Sequence, residues 1–139
     1  MEGAIKGLTR EDGTRPLLIA VTQLTSTDQE TMEKDLLIKE PIDQVVMHYA
    51  KNAKIAGLDG VVCSPLEAEK VHNSGGKEFL TVTPGVRFAD GEVGDQKRVM
   101  TPEQARKIGS DYIVVGRPIT ASEDPVKAYE RCVKEFLGC

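Results

Sequence analysis

The sequence is poor in the side chains that build metal sites and disulfide frameworks, with three cysteines and two histidines in 139 residues. Cys63, Cys132 and Cys139 have no metal-ligand spacing and cannot all pair within one chain, which fits a reducing compartment. Cys63 lies in an apolar run and Cys132 in a helical stretch, so both read as small core residues rather than catalytic thiols, while Cys139 is terminal. His48 and His72 fall in separate helical stretches without a partner cysteine, which argues against structural zinc. No apolar run approaches the ~18 residues of a membrane span, and the opening MEGAIKGLTREDG has no apolar signal core, so a cytoplasmic protein is expected. Positive charge is not in excess either: 18 Lys+Arg stand against 22 Asp+Glu, a net charge of −4, and no local basic patch offsets it. Nucleic acid and membrane are therefore not expected partners. The chain also has no nucleophile elbow, Walker loop or GxGxxG. What it does have is 40% hydrophobic and 29% charged residues in a length that suits one unit over 1–139.

The apolar pattern alternates between short buried strands and helices. Leu17-Leu18-Ile19-Ala20-Val21 is a continuous apolar run after a Gly13-Thr14-Arg15-Pro16 turn, as in a strand covered on both faces. Gln29 to Ile38 can form a short helix stopped by Pro41, and from Ile42 to Ala56 the positions Val45, Val46, Tyr49, Ala50, Ala53 and Ala56 recur at helical spacing until Gly57. A second strand leads into Ser64-Pro65-Leu66-Glu67, a cap, a proline at the first helical position and a glutamate in capping-box register. Thr101-Pro102 with Gln104 repeats that signature, and a final helix runs from about Asp124 to Leu137. Strands are expected at about 17–22, 60–64, 79–83 and 112–116. Gly57-Leu58-Asp59-Gly60-Val61-Val62 is echoed by Gly109-Ser110-Asp111-Tyr112-Ile113-Val114, each a helix stop leading into a strand.

Strand then helix, four times over, describes an α/β protein with parallel strands and points to a (βα) barrel, although a doubly wound sheet uses similar turns. A closed barrel takes eight strands and ~250 residues, so the chain reads as half of one, (βα)4, with two open sheet edges and a need for a partner. Ligand sites on such folds lie at the carboxyl ends of the strands, and phosphate is often held after the last two. The third strand exits through Pro84-Gly85-Val86-Arg87 and the fourth through Gly116-Arg117-Pro118, so a close-approaching backbone and a guanidinium fork leave adjacent strands together. This is a plausible phosphate cradle, and surface ion pairing is the alternative. The loop after Arg87 adds Asp90, Asp95 and Gln96, and the first strand exits through Thr22-Gln23-Leu24-Thr25-Ser26-Thr27, which can meet the polar edge of a heterocycle. Asp59 and Asp111 precede their strands and belong to the opposite rim, where structural roles prevail.

Four segments carry a resemblance to a known family. Leu18-Ile19-Ala20-Val21-Thr22-Gln23-Leu24-Thr25-Ser26, Gly57 to Ser64, Thr83-Pro84-Gly85-Val86-Arg87 and Asp111 to Ile119, in this order and spacing, closely resemble the C-terminal half of bacterial orotidine 5'-phosphate decarboxylases. The resemblance implies the C-terminal half of a TIM (βα)8 barrel of the ribulose-phosphate-binding kind, working as a homodimer without cofactor or metal. The implied reaction converts orotidine 5'-monophosphate to UMP and CO2, the last step of de novo pyrimidine synthesis. It further implies that Thr25 contacts the pyrimidine, Arg87 the phosphate, Gln96 both phosphate and base edge, and Gly116 with Arg117 the phosphate. The family's alternating lysines and aspartates, including Asp-x-Lys-x-x-Asp, are missing: Asp95-Gln96-Lys97-Arg98-Val99-Met100 lacks the second aspartate. No catalytic residue is therefore assigned, and no turnover is expected of the chain alone. Met1 would fall within the helix after the family's fourth strand, so a truncated product is expected, with a homodimer partner or a complementing N-terminal half. Two other readings remain: a noncatalytic phosphate- or nucleotide-binding half-barrel that self-associates, and a related sugar-phosphate decarboxylase, against which the Thr22 to Ser26 exit argues.

Overall fold

A computed structural model describes residues 1–91 and 99–139. The chain opens with helix α1 (Glu2–Leu8) and then alternates: β1 (Ile19–Val21), α2 (Gln29–Asp35), α3 (Ile42–Ile55), β2 (Gly60–Val62), a 3-10 turn (Pro65–Glu67) running into α4 (Ala68–Gly75), and β3 (Leu80–Thr83). After it come α5 (Pro102–Lys107), β4 (Tyr112–Ile113), the short α6 (Arg117–Thr120) and α7 (Pro125–Leu137). All neighbouring strands pair in parallel in the order β1-β2-β3-β4, without the reversal a doubly wound sheet requires. The barrel reading of the sequence therefore holds over the doubly wound one.

The strands are shorter than the apolar runs that announced them. Ladder hydrogen bonds continue one residue past β1, β2 and β4, from Thr22 N–H to Val62 O (3.1 Å), Cys63 N–H to Val82 O (3.2 Å) and Val114 N–H to Thr83 O (3.0 Å). Val115 and Gly116 leave the sheet instead of extending β4 to 116, because the chain turns into α6. Phe79 stands before β3: its N–H closes a turn onto Gly76 O (3.1 Å). Helix α2 ends at Asp35 rather than Ile38, since Leu37 takes a left-handed φ of 57° that brings Ile38 N–H back to Met32 O (3.2 Å).

The expected caps are in place. Ser64 accepts from Leu66 N–H (3.3 Å) while its own N–H donates to the Glu67 carboxylate (2.8 Å), and Thr101 and Gln104 exchange the same pair of bonds at 3.2 and 2.9 Å. The core lies between the helices and one face of the sheet, where Val46, Ala50 and Ala53 of α3 meet Val61, Cys63, Val71 and Phe79. By strand alternation the other face carries Ile19, Val21, Val62, Leu80, Val82, Tyr112 and Val114, and the register aligns Val21, Val62, Val82 and Tyr112 in one row. Among the described residues nothing covers this face at its margins: Val21 is 59% exposed, Tyr112 55% and Val114 49%.

The internal echo is a repeated device. Gly57 (φ 84°) and Gly109 (φ 90°) are each the left-handed residue of a Schellman stop. Gly57 and Leu58 donate to Lys54 O and Ala53 O, and Gly109 and Ser110 to Arg106 O and Ala105 O. Two residues past each glycine an aspartate reaches the preceding strand: Asp59 accepts from Leu18 N–H (2.7 Å) and from Arg15 Nη2 (3.0 Å). Asp111 accepts from Thr81 N–H (2.7 Å), Thr81 Oγ1 (2.9 Å) and His72 Nε2 (2.9 Å). Both carboxylates stitch the amino-terminal rim.

Candidate functional site

At the carboxyl rim the exits of β3 and β4 line one open cleft of about 440 Å³, with Arg87, Phe88, Asp90 and Gly91 on one side and Arg117, Pro118 and Ser122 on the other. Gly85 makes the first turn possible, its φ of 83° being one that side chains rarely adopt. Val86 then pairs with Met100, and Arg87 N–H donates to Met100 O (3.0 Å). Arg87 is buried, 9% exposed, and one Nη donates to Val86 O (2.8 Å), so its guanidinium is held along the exit rather than spread into solvent. Arg117 stands exposed at the first position of α6. Gly116 before it accepts from Thr120 N–H (3.0 Å), and a Cβ there would meet nothing within 4 Å, so the backbone lies open at this rim.

The far wall is formed by Arg131 of α7. Its Nη1 pairs with Asp90 (2.9 Å), its Nε with Glu135 (2.7 Å), and its guanidinium carbon lies 4.2 Å from the Phe88 ring centroid. The hydrogen bond from Arg131 holds the Asp90 carboxyl below its ordinary range, and the two carboxylates raise the Arg131 guanidinium above its own. The cleft thus sets the guanidinium groups of Arg87 and Arg117 beside a backbone turn, an arrangement suited to an oxyanion with several equivalent oxygens, while Arg131 is taken up by its two carboxylates.

The structure brings Arg87, Gly116 and Arg117 to the same rim. Thr25 is buried at the exit of β1 and does not line this cleft. Gln96 and Asp95 lie outside the described residues. Asp90 is paired to Arg131. The sequence reading passed over Phe88 and Arg131, because Arg131 with Glu135 four residues on looks like an ordinary surface pair on a helix. The cysteines form no disulfide, Cys63 and Cys132 are buried, and burial pushes the Cys132 thiol up. Among the described residues no cluster of three or more His, Cys, Asp or Glu side chains is placed to hold a metal, and no helix is long and apolar enough to cross a membrane.

The model of the orotidine 5'-phosphate decarboxylase / HUMPS family matches residues 1–132. The chain belongs to this family. The orotidine 5'-phosphate decarboxylase of Enterococcus faecalis is 55% identical over 135 residues, covering 97% of this chain and 56% of the relative. That of Geobacillus thermodenitrificans is 51% identical over 141 residues, covering 99% and 59%. Among solved structures, orotidine 5'-phosphate decarboxylase from Lactobacillus acidophilus superposes with a TM-score of 0.78 at 43% identity, over 97% of this chain and 57% of that one. The chain therefore spans a little over half the length of these decarboxylase relatives, and its parallel sheet with helices on one face is about half of their TIM barrel.

Proposed function

We propose that this chain is the phosphate- and pyrimidine-binding half of an orotidine 5'-phosphate decarboxylase, which converts orotidine 5'-monophosphate to UMP and CO2 in the cytoplasm. The observation that carries the reading is the convergence of Arg87 and Arg117, from adjacent strand exits, on one cleft. Arg87, Arg117 and the Gly116 backbone would take the phosphate, Gln96 would bridge phosphate and base edge, and Thr25 would contact the pyrimidine. Binding energy from a remote phosphate is useful to such an enzyme, because it can drive closure and organise the reacting end of the substrate. No residue of the 139 supplies the lysine and aspartate array that would protonate the carbon as CO2 departs, so the chain alone should not turn over.

Among the described residues the apolar face is uncovered and the outer edges of β1 and β4 are unpaired, which favours completion by a complementing N-terminal half or by a second copy. The same face supports a second reading, a noncatalytic nucleotide-binding half-barrel that self-associates. The deciding assay follows orotidine 5'-monophosphate absorbance with the purified chain, alone and with a separately expressed N-terminal half of a relative, using Arg117→Ala as a control. Turnover only in the mixture, lost with Arg117→Ala, supports the half-enzyme. UMP binding without turnover in either preparation favours the noncatalytic reading, and turnover by the chain alone means that its acid lies among residues assigned here to structure.

A further inference from the structure

Helix α7 has no part in the phosphate reading, yet one of its side chains holds the segment that carries Arg87. Three separate parts of the Arg131 guanidinium are engaged: Nε by Glu135 one turn along the same helix, Nη1 by Asp90, and the flat face by the Phe88 ring. The bond to Glu135 orients the fork, and the other two contacts fall on residues one and three beyond Arg87. The exit of β3 is thus fixed by the Arg87–Met100 backbone bond and by this clamp, whose two contacts fall within the turn closed by Gly91 N–H on Phe88 O (3.0 Å). The platform is itself anchored, since Asp124 caps α7 by accepting from Lys127 N–H (3.1 Å) and Cys132 is buried one residue after Arg131. With two carboxylates against it, Arg131 is more than matched in charge and is poorly suited to hold an anion itself.

We propose that Arg131 is a positioning residue, which clamps Phe88 and Asp90 onto α7 and so holds the Arg87-bearing exit of β3 at the cleft shared with Arg117. Its consequence for binding rests on the phosphate reading above; the clamp itself does not. The test is amide hydrogen exchange on the full chain, beside titration with inorganic phosphate and with UMP, for Arg131→Gln, Arg131→Lys and Asp90→Asn. Arg131→Gln should speed exchange of the hydrogen-bonded Arg87 and Gly91 amides about fivefold, the scale of one exposed ion pair plus one cation–π contact. It should weaken phosphate and UMP binding by a similar factor while leaving exchange in α3 and β2 unchanged. Arg131→Lys, which keeps the pair with Asp90, should restore part of both effects. Asp90→Asn, which leaves α7 intact, should reproduce part of them and decides the matter if Arg131→Gln fails to fold.

Unchanged exchange at Arg87 and Gly91 in both Arg131→Gln and Asp90→Asn overturns the clamp. Weakened binding with unchanged exchange also overturns it, by making Arg131 a direct ligand. Faster exchange in a chain that binds neither phosphate nor UMP supports the clamp and overturns the phosphate reading instead.

Discussion

Arg87 and Arg117 offer the same chemistry from different surroundings, so their removal should be distinguishable. Arg117 is exposed at the start of α6, and Arg117→Ala should weaken UMP binding by about 1.5–3 kcal/mol, the range for a hydrogen bond to a charged group, with little change in thermal stability. Arg87 is buried against its own strand exit, so Arg87→Ala should lose comparable affinity and also lower the melting temperature. Calorimetric titration and a thermal melt on each variant separate the two. Both arginines were legible because a glycine–arginine pair after an apolar run is a local signal. Arg131 was not, since its meaning comes from Phe88 and Asp90, far away in sequence. Asp59 makes a prediction of another kind. Its carboxyl is held below the ordinary range chiefly by the hydrogen bond from Arg15, so it favours the folded state above the unfolded carboxylate pKa of about 3.9 and loses that contribution as pH falls through the depressed folded value. Urea midpoints from pH 7 to pH 3 should show Asp59→Asn less stable than the native chain at neutral pH, with the gap narrowing below about pH 4.

Among the elements, the parts read correctly are those whose signals lie within a few residues. The capping boxes at Ser64 and Thr101 and the glycine stops at 57 and 109 are local hydrogen-bond chemistry, so their positions followed from residue type. Ladder length is not local. Strand β4 holds only Tyr112 and Ile113, paired with Val82 and Thr83 of β3, and no apolar run can announce how many rungs a neighbour will supply. Helix α6 was missed for a related reason: Arg117–Thr120 is too short to show a period. The glycines differ in why a side chain is excluded, and their costs should differ with it. Gly109→Ala should destabilise by about 1–2 kcal/mol, the cost of a left-handed φ for a side chain, because the space there is otherwise open enough for a methyl group. Gly60→Ala should be far worse, since a Cβ at Gly60 would lie 2.3 Å from Leu80 O, a backbone atom of the paired strand. Chemical denaturation of the two variants side by side checks the contrast.

The half-barrel as a whole has a face that water should not be left to solvate. Val21, Tyr112 and Val114 are each about half exposed or more, and they flank the row through Val62 and Val82 on the side of the sheet without helices. An apolar, pleated surface whose two edge strands have no outer partner among the described residues is the geometry that drives association, and a second copy can meet it with the same face turned over. The net charge of −4 opposes that pairing, because joining two copies brings like charge together. Burial and repulsion then respond oppositely to salt, which screens the repulsion within a Debye length of ~8 Å at physiological ionic strength and leaves the apolar contact intact. In sedimentation velocity the chain alone should therefore self-associate, and more strongly as salt rises from low to moderate concentration. Val21→Lys with Val114→Lys, both at margins of the open face, should return it to monomer and keep the far-ultraviolet dichroism of the native chain. A monomer at all salt concentrations that binds a hydrophobic dye strongly would instead mean that the face waits for the complementary half of the barrel and rejects its own copy. Adding that half should then extinguish the dye signal in proportion to the decarboxylase activity that appears.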